Sequence, residues 1–395
     1  MSNRTMLLLF QILVVCVASV IVSTLAQAGS KPNMEERMVP VSLDGEQVRL
    51  AVRIYRPDGA GPFPTLIFHH GSTGRGSNPA IFDQFRRRDT VVCYFVDRGW
   101  SVVLPSRRGR GGSEGQYDEG FTPSRESYSW EPDYALPGAE RALADIDAIT
   151  NVIRTWPFVD KDRLVIGGIS RGGILSIAHA GQKPHLYRGV INFVGGWVSD
   201  PTPHHETINK TLFNRGVSFG KETLWLYASD DRFYSLETTR DYFAAFREAG
   251  GKGVFADDFP GGIGHSLFDF PEDWGPVVEE YINSLGLSLK KAHSAIRFTP
   301  NPALPPSAFV GHWEGYSRSR LASLRIHAVA FGSANGEYTV GEREWDIQEP
   351  IEDGVLGKTW TSGAAIEFFL GGKDVMIATF YGRSLSRAVL YRVDN

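Results

Sequence analysis

Between Val41 and Leu289 the chain alternates short apolar runs with longer amphipathic ones, and after Leu289 it stops doing so. The short runs are Thr65–Phe68, Ser101–Leu104, Arg163–Gly167, Gly189–Val194, Thr223–Tyr227 and Val254–Phe259. They are apolar almost throughout rather than at every second residue, which suits strands buried on both faces of a mostly parallel sheet. The intervening segments Pro137–Thr155, Arg171–Ala180, Ser235–Ala249 and Trp274–Leu285 carry helical spacing. Asp44-Gly45 marks a hairpin leading into the alternating run Val48–Tyr55. Strand and helix in turn over this length predict an α/β architecture, with helices on both faces of the sheet.

The break is made by Thr299-Pro300-Asn301-Pro302-Ala303-Leu304-Pro305-Pro306. Each proline fixes φ and removes a donor, so the segment reads as a stiff extended connection. Beyond it helical spacing disappears. Short alternating segments remain at Leu321–Phe331, Glu337–Val340, Ala364–Leu370, Val375–Phe380 and Ala388–Val393, separated by glycine-rich turns. The expected layout is a leader over 1–28, an α/β domain over 29–289, a Pro-rich linker over 290–307, and a small all-β barrel or sandwich over 308–395. A stiff linker implies few obligatory contacts across the boundary.

The leader is read from Arg4, the apolar run Met6–Val22 and Ala26-Gln27-Ala28, the layout of a secretory signal peptide. The competing reading is an uncleaved anchor, since about 18 apolar residues just span a bilayer. Export places the protein in the periplasm or outside the cell. Cleavage removes Cys16 and leaves Cys93 as the one thiol, within Val91-Val92-Cys93-Tyr94-Phe95. That stretch reads as a buried helix face, so Cys93 is expected in the core rather than as nucleophile or ligand. A net charge of −4 without a long basic run argues against a nucleic-acid partner.

The chemistry is concentrated at Gly168-Ile169-Ser170-Arg171-Gly172, directly after the strand run ending at Gly167 and directly before a helical run. In that context the pentapeptide predicts a sharp turn. It lifts the Ser170 hydroxyl off the sheet edge and aims the Arg171 N–H at a reacting carbonyl. Gly168 and Gly172 are needed where side chains would collide with neighbouring backbone. Such a serine needs a base, and the base an orienting acid. Leu224–Ala228 runs into Ser229-Asp230-Asp231, and Phe259-Pro260-Gly261-Gly262-Ile263-Gly264 runs into His265. Ser170, the acid and His265 each follow a strand, and the carboxyl ends of parallel strands share one crevice. Thr65–His70 runs into Gly71-Ser72, and the Ser72 N–H is assigned as the second oxyanion donor beside that of Arg171. His69 and His70 read as loop-holding residues.

These segments resemble the α/β-hydrolase fold, closest to dienelactone hydrolase-like and prolyl oligopeptidase-like members. The residues that carry the likeness are His70-Gly71, Gly168-Ile169-Ser170-Arg171-Gly172-Gly173, Asp231, Gly264-His265 and Arg107-Arg108-Gly109-Arg110-Gly111-Gly112-Ser113. It covers roughly Val41 to Gly286. Related folds place the acid three residues past the small residue ending the strand, and counting from Ala228 this implies Asp231 rather than Asp230. Dienelactone hydrolases use Cys where this chain has Ser170, so lactone specificity does not carry over. Prolyl oligopeptidases usually carry an N-terminal propeller, for which no segment stands here, so peptide specificity does not carry over either. The start Gly311-His312-Trp313-Glu314-Gly315 is similar to that of lipocalin-like small barrels, and there the Trp commonly plugs one end.

Other features read as structural. Gly71–Ser77 and Gly109–Gly115 lack the Lys of a phosphate-binding loop. His204-His205-Glu206 lacks the spacing of a helical metal site and reads as a solvated loop. Tyr117, Phe121, Tyr128, Trp130 and Tyr134 crowd one long connection, and with Trp197 they either line a pocket or simply pack. The reading as a whole is an exported serine hydrolase of small or medium carboxylic esters, using no metal or organic cofactor. Its rivals are a peptidase or amidase with the same triad, and a non-catalytic ligand-binding protein whose β-domain does the work. Secreted material should begin at Gly29, as N-terminal sequencing will show; full-length chain in the membrane fraction would point to the anchor.

Overall fold

The computed structural model describes residues 32–72, 85, 88–292, 296–317, 320–382 and 385–393. The leader and its expected cleavage point therefore lie outside the described residues, as do residues 73–77 of the first glycine-rich stretch. Among the described residues no helix is long and apolar enough to cross a membrane.

The first half is built on one eight-stranded sheet in the order β1-β2-β4-β3-β5-β6-β7-β8. Strands β1 (Asn33–Leu43) and β2 (Glu46–Arg56) form the hairpin, turning at Asp44-Gly45 with both residues at positive φ. Strand β4 (Ser101–Pro105) pairs antiparallel with β2 and parallel with β3 (Phe63–His69). From β3 onward the sheet is parallel through β5 (Val159–Ile169), β6 (Gly189–Phe193), β7 (Thr223–Leu226) and β8 (Gly253–Ala256). The central strands are buried along their length, which is why their sequences are continuous apolar runs.

Among the described residues six helices cover the sheet: α1 (Asp89–Asp97), α2 (Pro132–Ile153), α3 (Arg171–Gln182), α4 (His205–Asn214), α5 (Leu236–Glu248) and α6 (Pro271–Ser284). Two differ from the sequence expectation. Helix α2 begins five residues earlier than Pro137: Pro132 takes its first position, where a missing donor costs least, and Pro137 lies further inside the helix. Helix α4 starts at His205, in the segment expected to be a solvated loop. The His205 ring nitrogen Nδ1 instead meets the Tyr242 hydroxyl at 2.8 Å, and Glu206 takes an i,i+4 bond from Lys210.

The C-terminal part is a closed barrel of eight antiparallel strands, β9 to β16, in the order β10-β11-β12-β13-β14-β15-β16-β9. These are β9 (Gly311–Ser317), β10 (Arg320–Ala330), β11 (Ser333–Val340), β12 (Arg343–Glu352), β13 (Val355–Thr359), β14 (Ala365–Gly372), β15 (Val375–Tyr381) and β16 (Ser386–Arg392). Strands β9, β12 and β13 are additional to the five segments legible as alternating runs. The interior is filled by side chains such as Leu324, Ile347, Phe368, Met376 and Leu390. Trp313 is fully buried there; its indole donates to Phe309 O at 3.1 Å, and the Arg392 guanidinium lies 3.9 Å over its ring.

The expectation of few contacts across the boundary is wrong. Ile296 and Phe298, inside the expected linker, are buried in a cluster with Phe369, Val375, Ile377 and Val389 of the barrel and Cys93 of α1. The Arg297 N–H bonds Gly371 O at 2.7 Å, so the connection is strapped to the barrel before the prolines begin. Cys93 is a core residue: its sulfur lies 3.1 Å from the Tyr391 hydroxyl, and burial pushes the thiol up to about 12. The prolines stiffen the connection, but apolar residues flanking them need cover, and α1 and the barrel supply it. Ile377→Ala should cost about 2–5 kcal/mol of stability, the usual range for emptying a buried Ile site, measured by urea denaturation of the full chain.

Candidate active site

Strand β5 delivers Ser170 at φ 55°, ψ −123°, a conformation that non-glycine residues avoid, and α3 begins at the next residue. The turn is possible because its neighbours lack side chains. A Cβ on Gly168 would stand 2.5 Å from Gly172 O, and one on Gly172 would run into His69 O. On the facing side, a Cβ on Gly71 would come within 3.0 Å of the Ser170 Cβ. Backbone thus lies directly on backbone where β3 ends and the serine turn begins. Arg171 is the first residue of α3, so its N–H has no intrahelical acceptor and sits at the positive end of the helix.

The acid and base meet as a pair. Asp231 Oδ2 lies 2.8 Å from His265 Nδ1, and Asp231 Oδ1 accepts from the N–H groups of Phe233 at 2.8 Å and Tyr234 at 3.3 Å. The Asp231 side chain is 0% exposed and that of His265 24%, so the acid is sealed while the imidazole still faces the cavity. Because the carboxylate only accepts, Nδ1 carries the proton and Nε2 is left as an acceptor. The adjacent Asp230 does something else: its Oδ2 takes the Gly262 N–H at 3.0 Å and so ties down the glycine loop before His265. Gly264 has φ +50°, and a Cβ there would stand 2.7 Å from Asp230 O.

Ser170, His265, Ser72 and Arg171 all line one cavity of about 870 Å³. Its walls include Tyr128, Trp130 and Trp197 of the aromatic-rich set, whereas Tyr117 and Phe121 are buried in packing and Tyr134 is exposed elsewhere. His70 holds the end of β3. Its Nε2 accepts the Arg107 N–H at 3.2 Å, which leaves Nδ1 to donate to Gly71 O at 2.8 Å. Burial, with Arg107 and Arg110 nearby, keeps its pKa well below the ordinary histidine value, so it is neutral.

Two contributors had no signal in sequence. Tyr234 lines the cavity together with Ser170, and its ring lies 5.8 Å from that of His265. Space for the ring exists because residue 196 is glycine; a Cβ there would fall inside it. Burial raises the phenol's pKa well above its usual value, so Tyr234 stays a protonated donor. The second contributor is the barrel, which brings Tyr316, Tyr381, Leu385 and Arg387 to the same cavity.

The sheet order, the strand–serine–helix turn and the Ser…Asp…His sequence of loops together decide the fold. The sheet domain has the α/β-hydrolase fold. Residues 44–197 match the model of the X-Pro dipeptidyl-peptidase (S15) family. The chain is similar to the prolyl oligopeptidase ophP of Omphalotus olearius, 29% identical over 165 residues, which are 41% of this chain and 19% of that protein. It is also similar to the cocaine esterase of Rhodococcus sp. (strain MB1 Bresler), 30% identical over 170 residues, 41% of this chain and 26% of that one. The chain thus spans about a fifth to a quarter of the length of these curated relatives. Among solved structures it overlaps Est1E from Butyrivibrio proteoclasticus with ferulic acid bound, at TM-score 0.43 and 15% identity, over 62% of this chain and 98% of that one. It overlaps the acylaminoacyl peptidase of Pyrococcus horikoshii at TM-score 0.44 and 17% identity, over 69% and 43%.

The hydrolase geometry separates the two adjacent acids. Asp231→Asn should lower kcat on the order of 10⁴-fold, the loss measured in another triad when the acid no longer fixes the imidazole tautomer. Asp230→Asn keeps an acceptor oxygen for the Gly262 N–H and should be mild. Steady-state hydrolysis of a p-nitrophenyl ester by both variants checks the assignment.

Proposed function

We propose that this α/β-hydrolase is a serine hydrolase that cleaves carboxylic esters through an acyl-enzyme. The observation that carries the reading is the 2.8 Å Asp231–His265 pair sharing one cavity with a serine held at φ 55°. Ser170 Oγ attacks the ester carbonyl while His265 Nε2 takes its proton. Asp231 holds the imidazole and stabilises the imidazolium. The N–H groups of Ser72 and Arg171 receive the oxyanion, where loss of one donor typically costs about 10²–10³ in rate. His265 then gives the proton to the departing alkoxide, and water repeats the sequence to release the acid.

The esterase reading is supported by walls of aromatic rings on the side of Tyr128, Trp130 and Trp197, which suit an apolar acyl or alcohol portion. The S15 match and the peptidase relative support the amide alternative, which uses the same triad. Export through residues 1–28 belongs to the same proposal, with a small-molecule ester as the partner.

A fluorophosphonate probe should label wild-type protein at Ser170 and leave Ser170→Ala unlabelled. In a panel of p-nitrophenyl esters and aminoacyl anilides, the esters should turn over with the higher kcat/KM. Preference for the anilides would replace the esterase reading by the peptidase one, and absence of labelling would remove both.

A further inference from the structure

His265 sits on a segment that is soft on one side. Before it come Gly261, Gly262 at φ +83° and Gly264 at φ +50°, and a Cβ at Gly262 would meet nothing within 4 Å. The Gly262 N–H bond to Asp230 ties this run at one point, but its glycines still leave the imidazole room to shift, and the Asp231 bond fixes only Nδ1. What fixes the other side is the barrel. His265 belongs to the short 3₁₀ turn Gly264–Asp269. The hydroxyl of Ser266, the next residue, donates to Leu385 O at 2.6 Å. Arg387 of β16 reaches the far end of the same turn. Its Nη1 lies 2.7 and 2.8 Å from the two carboxylate oxygens of Glu272 and 3.5 Å from Asp269 O, and its guanidinium stacks 4.2 Å over Phe270. Arg387 is itself set by the barrel, since its Nε donates to Thr379 Oγ1 on β15 at 3.1 Å. The Arg387 side chain is only 6% exposed, so this bridge lies out of bulk water and is poorly screened.

We infer that the barrel holds the catalytic histidine in register through two contacts, Ser266 with Leu385 and Arg387 with Glu272 and the Asp269 carbonyl. The barrel is then a positioning element for the hydrolytic step, not only a neighbour that docks on the sheet domain. Ser266 and Arg387 act through His265 and are positioning residues. Two ties then bear on His265: Asp231 bonds its ring directly, and the β15–β16 end of the barrel holds the turn that carries it. A loop with three glycines loses orientation readily, and a displacement near 1 Å costs on the order of 10²-fold in rate.

The inference rests on the serine-hydrolase reading, and the test keeps the two separable. Full-length wild type, Ser266→Ala, Arg387→Gln and Arg387→Lys are compared with p-nitrophenyl acetate, a small ester. Fluorophosphonate labelling rates and thermal melts are measured alongside. Ser266→Ala and Arg387→Gln should each lower kcat and the labelling rate by about 10-fold or more. KM should stay within about twofold, the folded fraction at the assay temperature should be unchanged, and Arg387→Lys should recover part of the loss. Unchanged kcat and labelling in both variants would overturn the positioning role. So would a loss that merely follows the folded fraction, or one confined to KM. A wild type that neither labels nor hydrolyses would instead defeat the hydrolase reading itself.

Discussion

A single buried carboxylate, that of Glu119, joins the parts of the site that come from distant stretches of chain. It pairs with Arg107 from the loop after β4 and lies 3.5 Å from Arg171 at the start of α3. Burial alone would raise its pKa, but the two guanidiniums overcome that and hold the carboxyl below its usual value. Each arginine then extends the connection. Arg107 Nη1 donates to His70 O at 3.0 Å at the end of β3, and Arg171 donates to Glu119 O at 2.7 Å and Trp197 O at 3.1 Å. The Arg171 guanidinium is also sandwiched between Tyr128, 3.7 Å away, and Trp197, 4.2 Å away. Removing one member would leave a charge buried without its partner, which is the expensive way to break such a group. The aromatic-rich connection is therefore fixed over the serine turn by charge, and its rings become cavity walls as a consequence.

That arrangement explains why residue 171 has two separable functions. Its backbone N–H, at the first turn of α3, is the proposed oxyanion donor. Its side chain points the other way in function, tying the wall to the turn. A smaller residue at 171 would keep the donor and lose the wall.

The parts of this structure legible in sequence are those set by local backbone demand. Gly168, Gly172 and Gly264 are readable because a Cβ at each meets backbone, and backbone cannot yield. Ser170, Asp231 and His265 are readable because each follows a strand of a parallel sheet, so chain order implies spatial convergence. Tyr234 was not legible: its position depends on the absent side chain of Gly196, 38 residues earlier in sequence but packed on its ring. Strand β12, Arg343–Glu352, also carried little signal, since half of its residues are charged and it buries only Ile347. It is held chiefly by its long pairing with β11, and meets β13 only at Ile351 and Glu352. The barrel's approach to the site was hidden by the prolines. They announce a stiff connection, but stiffness says nothing of where Ile296 and Phe298 will find cover.

The hydrogen-bond directions at the acid and base follow from these placements. Asp231 accepts the Nδ1 proton of His265, so the free Nε2 is an acceptor. Burial keeps Tyr234 protonated on the wall of the same cavity, so its hydroxyl is a donor there. The cost lies in geometry, because Ser170 holds a strained φ where its turn meets the cavity. Gly71, Gly168 and Gly172 each leave out a side chain so that this turn can form, and Gly196 leaves one out for the Tyr234 ring.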